Sequence, residues 1–193
     1  MNPHHIFYFD AERVKKLVEE YVKRLDELMK KRDEELCTAS DDFDEIEIRD
    51  KYFGLSMDVW NEYEEKLGGD FDEVHLEFID DHTVKIGVKY VGTRVYEYYY
   101  SLKSRDIFFE DYPLIDEEKT PLTWKLLKKF DIIRVRPIWM PKIRQFIFEI
   151  AEAEHQGTIK EAIERVKQRL RSGAWVYEYA NLLRAIEEVE ADE

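Results

Sequence analysis

The stretch that decides the fold is Phe71–Lys103, which reads FDEVHLEFIDDHTVKIGVKYVGTRVYEYYYSLK. In three runs, β-branched and aromatic residues alternate with polar ones, and short turn sequences separate the runs. Gly92-Thr93 suits a two-residue hairpin loop, and Asp81-His82-Thr83 suits a three-residue loop. The stretch therefore predicts a three-stranded antiparallel meander.

Alternation along the strands assigns the side chains to two faces of this sheet. With a three-residue first loop, Phe78 lies opposite Ile86 and Leu76 opposite Val88, which gathers aliphatic side chains on one face. The face predicted to meet the core holds Val74, Leu76, Phe78, Val84, Ile86, Val88, Tyr90, Val95 and Tyr99. The opposite face holds His75, Glu77, Ile79, Lys85, Gly87, Lys89, Arg94, Tyr96, Tyr98 and Tyr100.

The opposite face has two interpretations. Aromatic rings on an open sheet can stack bases while nearby cations hold phosphates, so the face is a candidate site for single-stranded nucleic acid. Alternatively, a layer of helices covers it, and the many amphipathic segments of the chain favour this interpretation. The candidate nucleic-acid-binding residues are Lys85, Lys89, Arg94, Tyr96, Tyr98 and Tyr100.

Helical spacing dominates on both sides of the meander. Asp10 is a candidate N-cap for a long amphipathic helix, because apolar residues recur every three or four positions after it. Thr120-Pro121 and Pro141 are start signals, and Thr158 with Glu161 forms a candidate capping box. The predicted helices cover residues 11–36, 56–67, 120–130, 141–155, 158–172 and 174–189.

The predicted fold class is α+β, with a single domain over residues 1–193. The meander is packed by the long N-terminal helix and by C-terminal helices. Short additional strands are expected near 43–49 and 132–136, and an irregular segment over 104–119. Residues 1–119 form an acidic α+β part, and residues 120–193 a mainly helical part.

Charge is distributed unevenly along the chain. Residues 1–119 carry 17 Lys and Arg against 32 Asp and Glu, whereas residues 120–172 carry 12 against 6. The net charge of −14 does not favour nucleic acid as a partner, because such binding depends on neutralising phosphates. The basic segment 120–172 faces either an outside partner or the acidic part of the same chain.

Composition suggests a cellular setting. Cys37 is the only cysteine, so an intrachain disulfide is excluded and a reducing compartment is indicated. The N-terminus has no signal-peptide pattern and no apolar run is long enough to cross a bilayer, so the sequence predicts a cytoplasmic protein without a membrane partner. Few Asn and Gln among abundant Glu, Lys and Arg indicate a thermophile.

Motifs for catalysis are weak. Asp10 and Glu12 could hold a metal, but an N-cap and a first-turn acid explain them better. Glu152 and His155 have the spacing of a di-iron helix with Glu149 one turn earlier, yet no second helical copy exists. Neither a nucleophile elbow nor a phosphate-binding glycine loop is present. We therefore expect no cofactor and no metal.

These observations leave three functional hypotheses open. The favoured one is a non-enzymatic binding or assembly protein that acts through helical surfaces on a protein partner or as a homo-oligomer. The first alternative is single-stranded nucleic-acid binding on the face that carries Tyr96, Tyr98 and Tyr100. The second alternative is a metal-dependent nuclease or hydrolase, which requires carboxylates that converge in one cleft.

Overall fold

A computed structural model describes residues 7–132, 141–173 and 176–192. Within these ranges the order of elements is α1 (Ala11–Leu36), α2 (Asp42–Leu67), β1 (Glu73–Asp80), β2 (Thr83–Val91), β3 (Arg94–Ser101), β4 (Asp106–Pro113), α3 (Pro121–Ile132), α4 (Pro141–Gln156), α5 (Ile159–Ser172) and α6 (Tyr177–Ala191). The predicted α+β class with an antiparallel meander is confirmed. Among the described residues no helix is both long and apolar enough to span a membrane.

The sheet has four strands in the order β1-β2-β3-β4, one more than predicted. β4 occupies part of the segment 104–119 that was expected to be irregular, and it buries Ile107. The prediction of a strand near 43–49 is wrong, because those residues belong to α2. Of the strand expected near 132–136, Ile132 ends α3 and the other positions lie outside the described residues.

α1 and α2 are antiparallel neighbours of 26 residues each. α1 has the predicted bounds, and the Asp10 carboxylate caps it by accepting the Arg13 N–H at 3.2 Å. α2 begins earlier than expected because Asp41 accepts the N–H groups of Phe43 and Asp44 at 2.9 and 3.0 Å. This cap stabilises a helix in a segment whose side chains also alternate as in a strand.

The first strand pair has a different register from the predicted one. Phe78 lies opposite Val84 rather than Ile86, and Asp80 lies opposite Thr83 across a two-residue loop. Two register shifts interrupt β1, between Val74 and Glu77 and between Phe78 and Asp80. Each shift moves the following side chains to the other face, so the alternation rule assigns the faces of β1 only locally.

The second strand pair also departs from uniform alternation. The loop Gly92-Thr93 has the predicted length, with Gly92 at a φ of 60°, and it places Val91 opposite Arg94. At the other end of this strand pair, the Leu102 N–H donates to the His82 carbonyl at 2.7 Å. Uniform pairing from the loop would place Thr83, and not His82, opposite Leu102. Tyr98 and Tyr100 share a buried cluster with Val84 and Ile86, which uniform alternation from the Gly92-Thr93 loop would not place on one face.

The chain forms two compact units. One comprises Met1–Tyr90 and Tyr96–Asp111, and the other Val91–Val95 and Tyr112–Glu193. The first unit has a core in which α1 and α2 cover one face of the sheet. Its buried members are Val14, Val18, Tyr21, Val59, Tyr63, Leu67, Phe71, Leu76, Val84, Ile86, Tyr98, Tyr100 and Ile107. The single domain expected for residues 1–193 stays a prediction.

The second unit has a core of its own, formed by α3 to α6. The start of α3 is capped from a distance: the Glu154 carboxylate accepts the N–H groups of Leu122 and Thr123 at 2.8 and 3.0 Å. A carboxylate at a helix N-terminus is favoured by the helix dipole. The capping box expected at Thr158 is not formed by its side chain, although α5 begins at the next residue.

Substitutions at two glycines of the first unit test the packing of Phe71 against β2. A Cβ at Gly87 would lie 2.6 Å from the Glu73 carbonyl oxygen and 2.7 Å from Cγ of Phe71. We expect Gly87→Ala to lower the free energy of unfolding by about 1–3 kcal/mol, because the strand and the ring must shift. The measurement is urea denaturation followed by circular dichroism.

Gly54 provides the matched control, because it lies inside α2 with no atom within 4 Å of an added Cβ. Gly54→Ala is expected to raise the free energy of unfolding by about 0.5–1 kcal/mol. A neutral Gly87→Ala would contradict the close approach of Phe71 to β2.

Candidate functional site

Two of the six predicted nucleic-acid-binding residues are packed inside the first unit. Tyr98 is 0% and Tyr100 1% exposed. Both belong to the core under α1 and α2, so neither ring offers a face on which a base could stack. The residues predicted to face the core instead include two that are 43% exposed, Phe78 and Tyr90. Tyr98 and Tyr100 therefore lie under helices, as the second interpretation of this face expects. Their assignment to the side opposite Val84 and Ile86 is wrong, and so is the burial expected for Phe78 and Tyr90.

Tyr98 lies among other aromatic rings. Its ring centroid is 4.9 Å from that of Phe9 and 5.7 Å from those of Phe71 and Phe109. Edge and tilted contacts at these distances are favourable aromatic geometries. Burial raises the pKa of the Tyr98 hydroxyl to about 12, as expected where the phenolate is poorly solvated.

Tyr100 is joined to α1 by a charged hydrogen bond. Its hydroxyl donates to Oε1 of Glu19, which also accepts from the Arg105 guanidinium at 3.1 Å. The hydrogen bond from Tyr100, followed by that from Arg105, lowers the pKa of the Glu19 carboxyl. This contact attaches the third strand to the long helix, which is a structural role.

The remaining residues of the predicted site have partners within their own unit. Tyr96 is half-buried, with its ring centroid 5.8 Å from that of Phe109. Lys85 lies 3.5 Å from Glu97, and the Lys89 ammonium donates to the Tyr8 carbonyl at 3.2 Å. Arg94 lies 3.9 Å from Glu152 in the second unit. Burial therefore removes Tyr98 and Tyr100 from the candidate site, and the role of the other four residues stays a prediction.

The exposed side chains of the sheet include carboxylates such as Glu73 as well as the aromatic rings of Tyr90 and Phe108. Tyr90 donates to Glu73 at 2.8 Å, and Glu73 also lies 3.1 Å from Nε2 of His75. The Tyr90 hydrogen bond, with a smaller effect of His75, lowers the pKa of the Glu73 carboxyl. Tyr99 stacks on Phe108 with 5.3 Å between centroids and 14° between planes. The Tyr99 hydroxyl donates to Glu97 at 2.7 Å, so a carboxylate lies beside this stack and repels the phosphates that base stacking would bring.

Five described basic residues of the segment 120–172 pair with acidic residues of their own unit. Lys129 lies 2.8 Å from Asp192, Lys167 lies 2.7 Å from Glu190, and Arg169 lies 2.6 Å from Glu149. Further pairs join Arg171 to Glu187 and Arg165 to Glu149. These contacts explain the alternation of acids and bases on α5 without a nucleic-acid partner.

The carboxylates considered as metal ligands have other roles. Asp10 caps α1, and Glu12 pairs with Lys15. Glu149 and Glu152 pair with different arginines, whereas His155 Nε2 lies 2.7 Å from the Leu114 carbonyl. Over the part of the chain that the structure describes, no three His, Cys, Asp or Glu side chains are placed to hold a metal ion.

An exposed apolar row runs along the outside of α2. Phe43 is 80%, Phe53 70%, Ile46 55% and Met57 39% exposed. Their spacing of three, seven and four residues places them on one side of the helix, and we call these four residues the α2 stripe. The stripe lies on a different side of α2 from the buried residues Tyr52, Val59 and Tyr63.

A groove borders the α2 stripe, between α1 and α2. It has a volume of about 460 Å³, and Phe53 belongs to both the groove and the stripe. The groove is lined by Met29, Arg32, Arg49, Asp50, Tyr52, Phe53 and Ser56. The stripe was not predicted from the sequence, because residues 43–49 were interpreted as a strand. Helical spacing was nevertheless present in the positions of Phe43, Ile46, Phe53 and Met57.

Comparisons with known proteins give no functional information. No protein-family model, no curated protein and no solved structure matches the chain.

The contact between Tyr100 and Glu19 can be tested by a double-mutant cycle with Tyr100→Phe and Glu19→Gln. We expect a coupling energy of about 1 kcal/mol at neutral pH, since Glu19 is partly exposed. The folded state lowers the pKa of Glu19, so this stabilisation is present above the usual carboxyl pKa and is lost as pH falls through the lowered value. The measurement is urea denaturation over a range of pH.

A matched cycle pairs Tyr100→Phe with Glu27→Gln, an exposed carboxyl on α1. It should give no coupling. A coupling of Tyr100 with Glu19 that persisted unchanged in strong acid would contradict the role of the ionised carboxylate.

Proposed function

We propose that this chain is a non-enzymatic binding protein that recognises a protein partner through the α2 stripe. The observation that carries the proposal is the exposure of two phenylalanines, Phe43 and Phe53, on the outside of a well-formed helix. We place this activity in the cytoplasm of a thermophile, on the composition of the sequence alone.

The size of the stripe supports the proposal. At about 150–250 Å² per aromatic side chain, the exposed parts of Phe43 and Phe53 together present roughly 200–400 Å² of apolar surface. Ile46 and Met57 extend this area along the helix. Contiguous apolar patches of a few hundred Å², rimmed by polar residues, are typical of interaction sites on soluble proteins.

The position of the stripe supports it further. The core of the first unit is filled by other residues of α2, among them Val59, Tyr63 and Leu67. Phe43 and Phe53 are therefore not required for packing within that core. Exposed phenylalanines that do not stabilise the fold promote association, so a binding role accounts for their presence.

Nucleic-acid binding is the weaker alternative. It relied on exposed tyrosines, and Tyr98 and Tyr100 are buried. A metal-dependent hydrolase is weaker still, because no three His, Cys, Asp or Glu side chains of the described residues are placed to hold a metal ion.

The proposal is tested by selecting peptides from a random phage-displayed library against the immobilised protein. We expect the selected peptides to lose at least about tenfold in affinity for the Phe43→Ser/Phe53→Ser variant, because large apolar anchors dominate such interfaces. Fluorescence anisotropy with the synthetic peptides measures the affinity.

Tyr177→Ser is the matched control, because Tyr177 is an aromatic residue on α6 that is 71% exposed. It should leave the affinity unchanged. Peptides that bind both variants as well as the unchanged protein, or a selection that yields no peptide, would contradict the proposal.

A further inference from the structure

The surroundings of the α2 stripe are strongly acidic. Residues 41–50 contain six Asp or Glu and one Arg, a net charge of −5 within ten residues. Glu47 and Asp50 are exposed beside Phe43 and Ile46. Among the residues that the structure describes, no ion pair neutralises either carboxylate, so the field at the stripe is negative.

The two arginines of the groove do not reverse this field. Arg49 lies 3.9 Å from Glu45, and Arg32 lies 2.8 Å from Asp33. Each positive charge in the groove is therefore offset by a neighbouring carboxylate. A partner that approaches the stripe meets apolar side chains with a negative rim, and complementary charge speeds and orients such an encounter.

The length of the stripe fits a single helix. From Phe43 to Met57 the distance along the axis is about 21 Å, at 1.5 Å per residue. An amphipathic helix of about four turns presents an apolar row of the same length, with anchors at three- and four-residue spacing. The groove beside Met29 can receive one further side chain of that helix.

A second copy of the chain fits this surface less well. In a two-fold dimer the same patch meets itself, so two segments of net charge −5 would face each other. The roughly 200–400 Å² that the two phenylalanines present is also well below the roughly 800 Å² per partner of a stable interface between globular proteins.

We infer that the partner of the α2 stripe is a basic amphipathic helix, whose apolar row covers Phe43, Ile46, Phe53 and Met57 and whose Lys or Arg residues meet Glu47 and Asp50. This inference rests on the proposed function, which it makes specific in the chemistry of the partner.

The test uses a fluorescent 15-residue peptide made only of Leu and Lys in helical amphipathic order. Two reference peptides are a Leu/Glu version and a Leu/Lys version with the order rearranged so that no apolar face forms. We expect the amphipathic Leu/Lys peptide to bind at least roughly tenfold more tightly than either reference, with an affinity that falls as salt rises.

Two charge variants separate a local effect from the overall acidity of the protein. Glu47→Lys/Asp50→Lys should weaken binding roughly fivefold or more, since it reverses two charges at the stripe. Glu117→Lys/Glu118→Lys makes the same change in net charge at exposed positions after β4, and it should alter the affinity less than about twofold. Circular dichroism confirms that each variant is folded. Ile46→Asp removes an apolar side chain from the α2 stripe and should also weaken binding of the peptide.

The outcomes separate the inference from the proposed function. Equal or tighter binding of the Leu/Glu peptide through Phe43 and Phe53 would overturn the basic partner and leave the binding role of the stripe intact. So would a dimer, seen by light scattering, that is lost in Phe43→Ser/Phe53→Ser. If neither peptide binding nor self-association depends on these two phenylalanines, both the inference and the proposed function fail.

Discussion

The burial of Tyr98 and Tyr100 beneath α1 and α2 is the constraint on which the first unit depends. The Tyr98 ring packs against four phenylalanine rings, and the Tyr100 hydroxyl donates to Glu19 of the long helix. Because these tyrosines fill the space between sheet and helices, α2 must turn Tyr63 and Leu67 toward the same core. The Phe43 and Phe53 side of that helix then lies on the exterior.

This arrangement assigns the unusual features of the sequence to structural roles or to exposed surface. Of the three β3 tyrosines that suggested base stacking, Tyr98 and Tyr100 belong to the buried cluster and Tyr96 packs against it. In the basic segment 120–172, described residues such as Arg169 and Lys167 pair with Glu149 and Glu190 of the second unit. The α2 stripe has no such structural role, and for this reason the functional proposal is placed there.

Much of the fold followed from local signals in the sequence. The bounds of α1, the starts of α3 and α4 at prolines, and the Gly92-Thr93 loop depend on periodicity, caps and turn chemistry, which act over a few residues. The fold class followed from the order of these elements.

The missed features depend on distant residues or on single-residue irregularities. The register shifts of β1 and the irregular pairing of β2 with β3 reverse the faces of short stretches. No sequence pattern marked either irregularity. The start of α3 is capped by Glu154, 32 residues from Leu122, which local capping rules do not anticipate. The alternation at 43–49 matched a strand, but the Asp41 cap and the helical periodicity of the following residues prevailed.

The central claim is that recognition occurs on the outside of α2 and not on the sheet. Backbone amide chemical shifts, recorded by NMR during titration with the amphipathic Leu/Lys peptide, test this most directly. The account predicts that the largest changes lie between Phe43 and Met57, with a smaller set near Met29 of α1. Changes concentrated on Tyr96–Tyr100 of β3, or spread evenly over the chain, would contradict it.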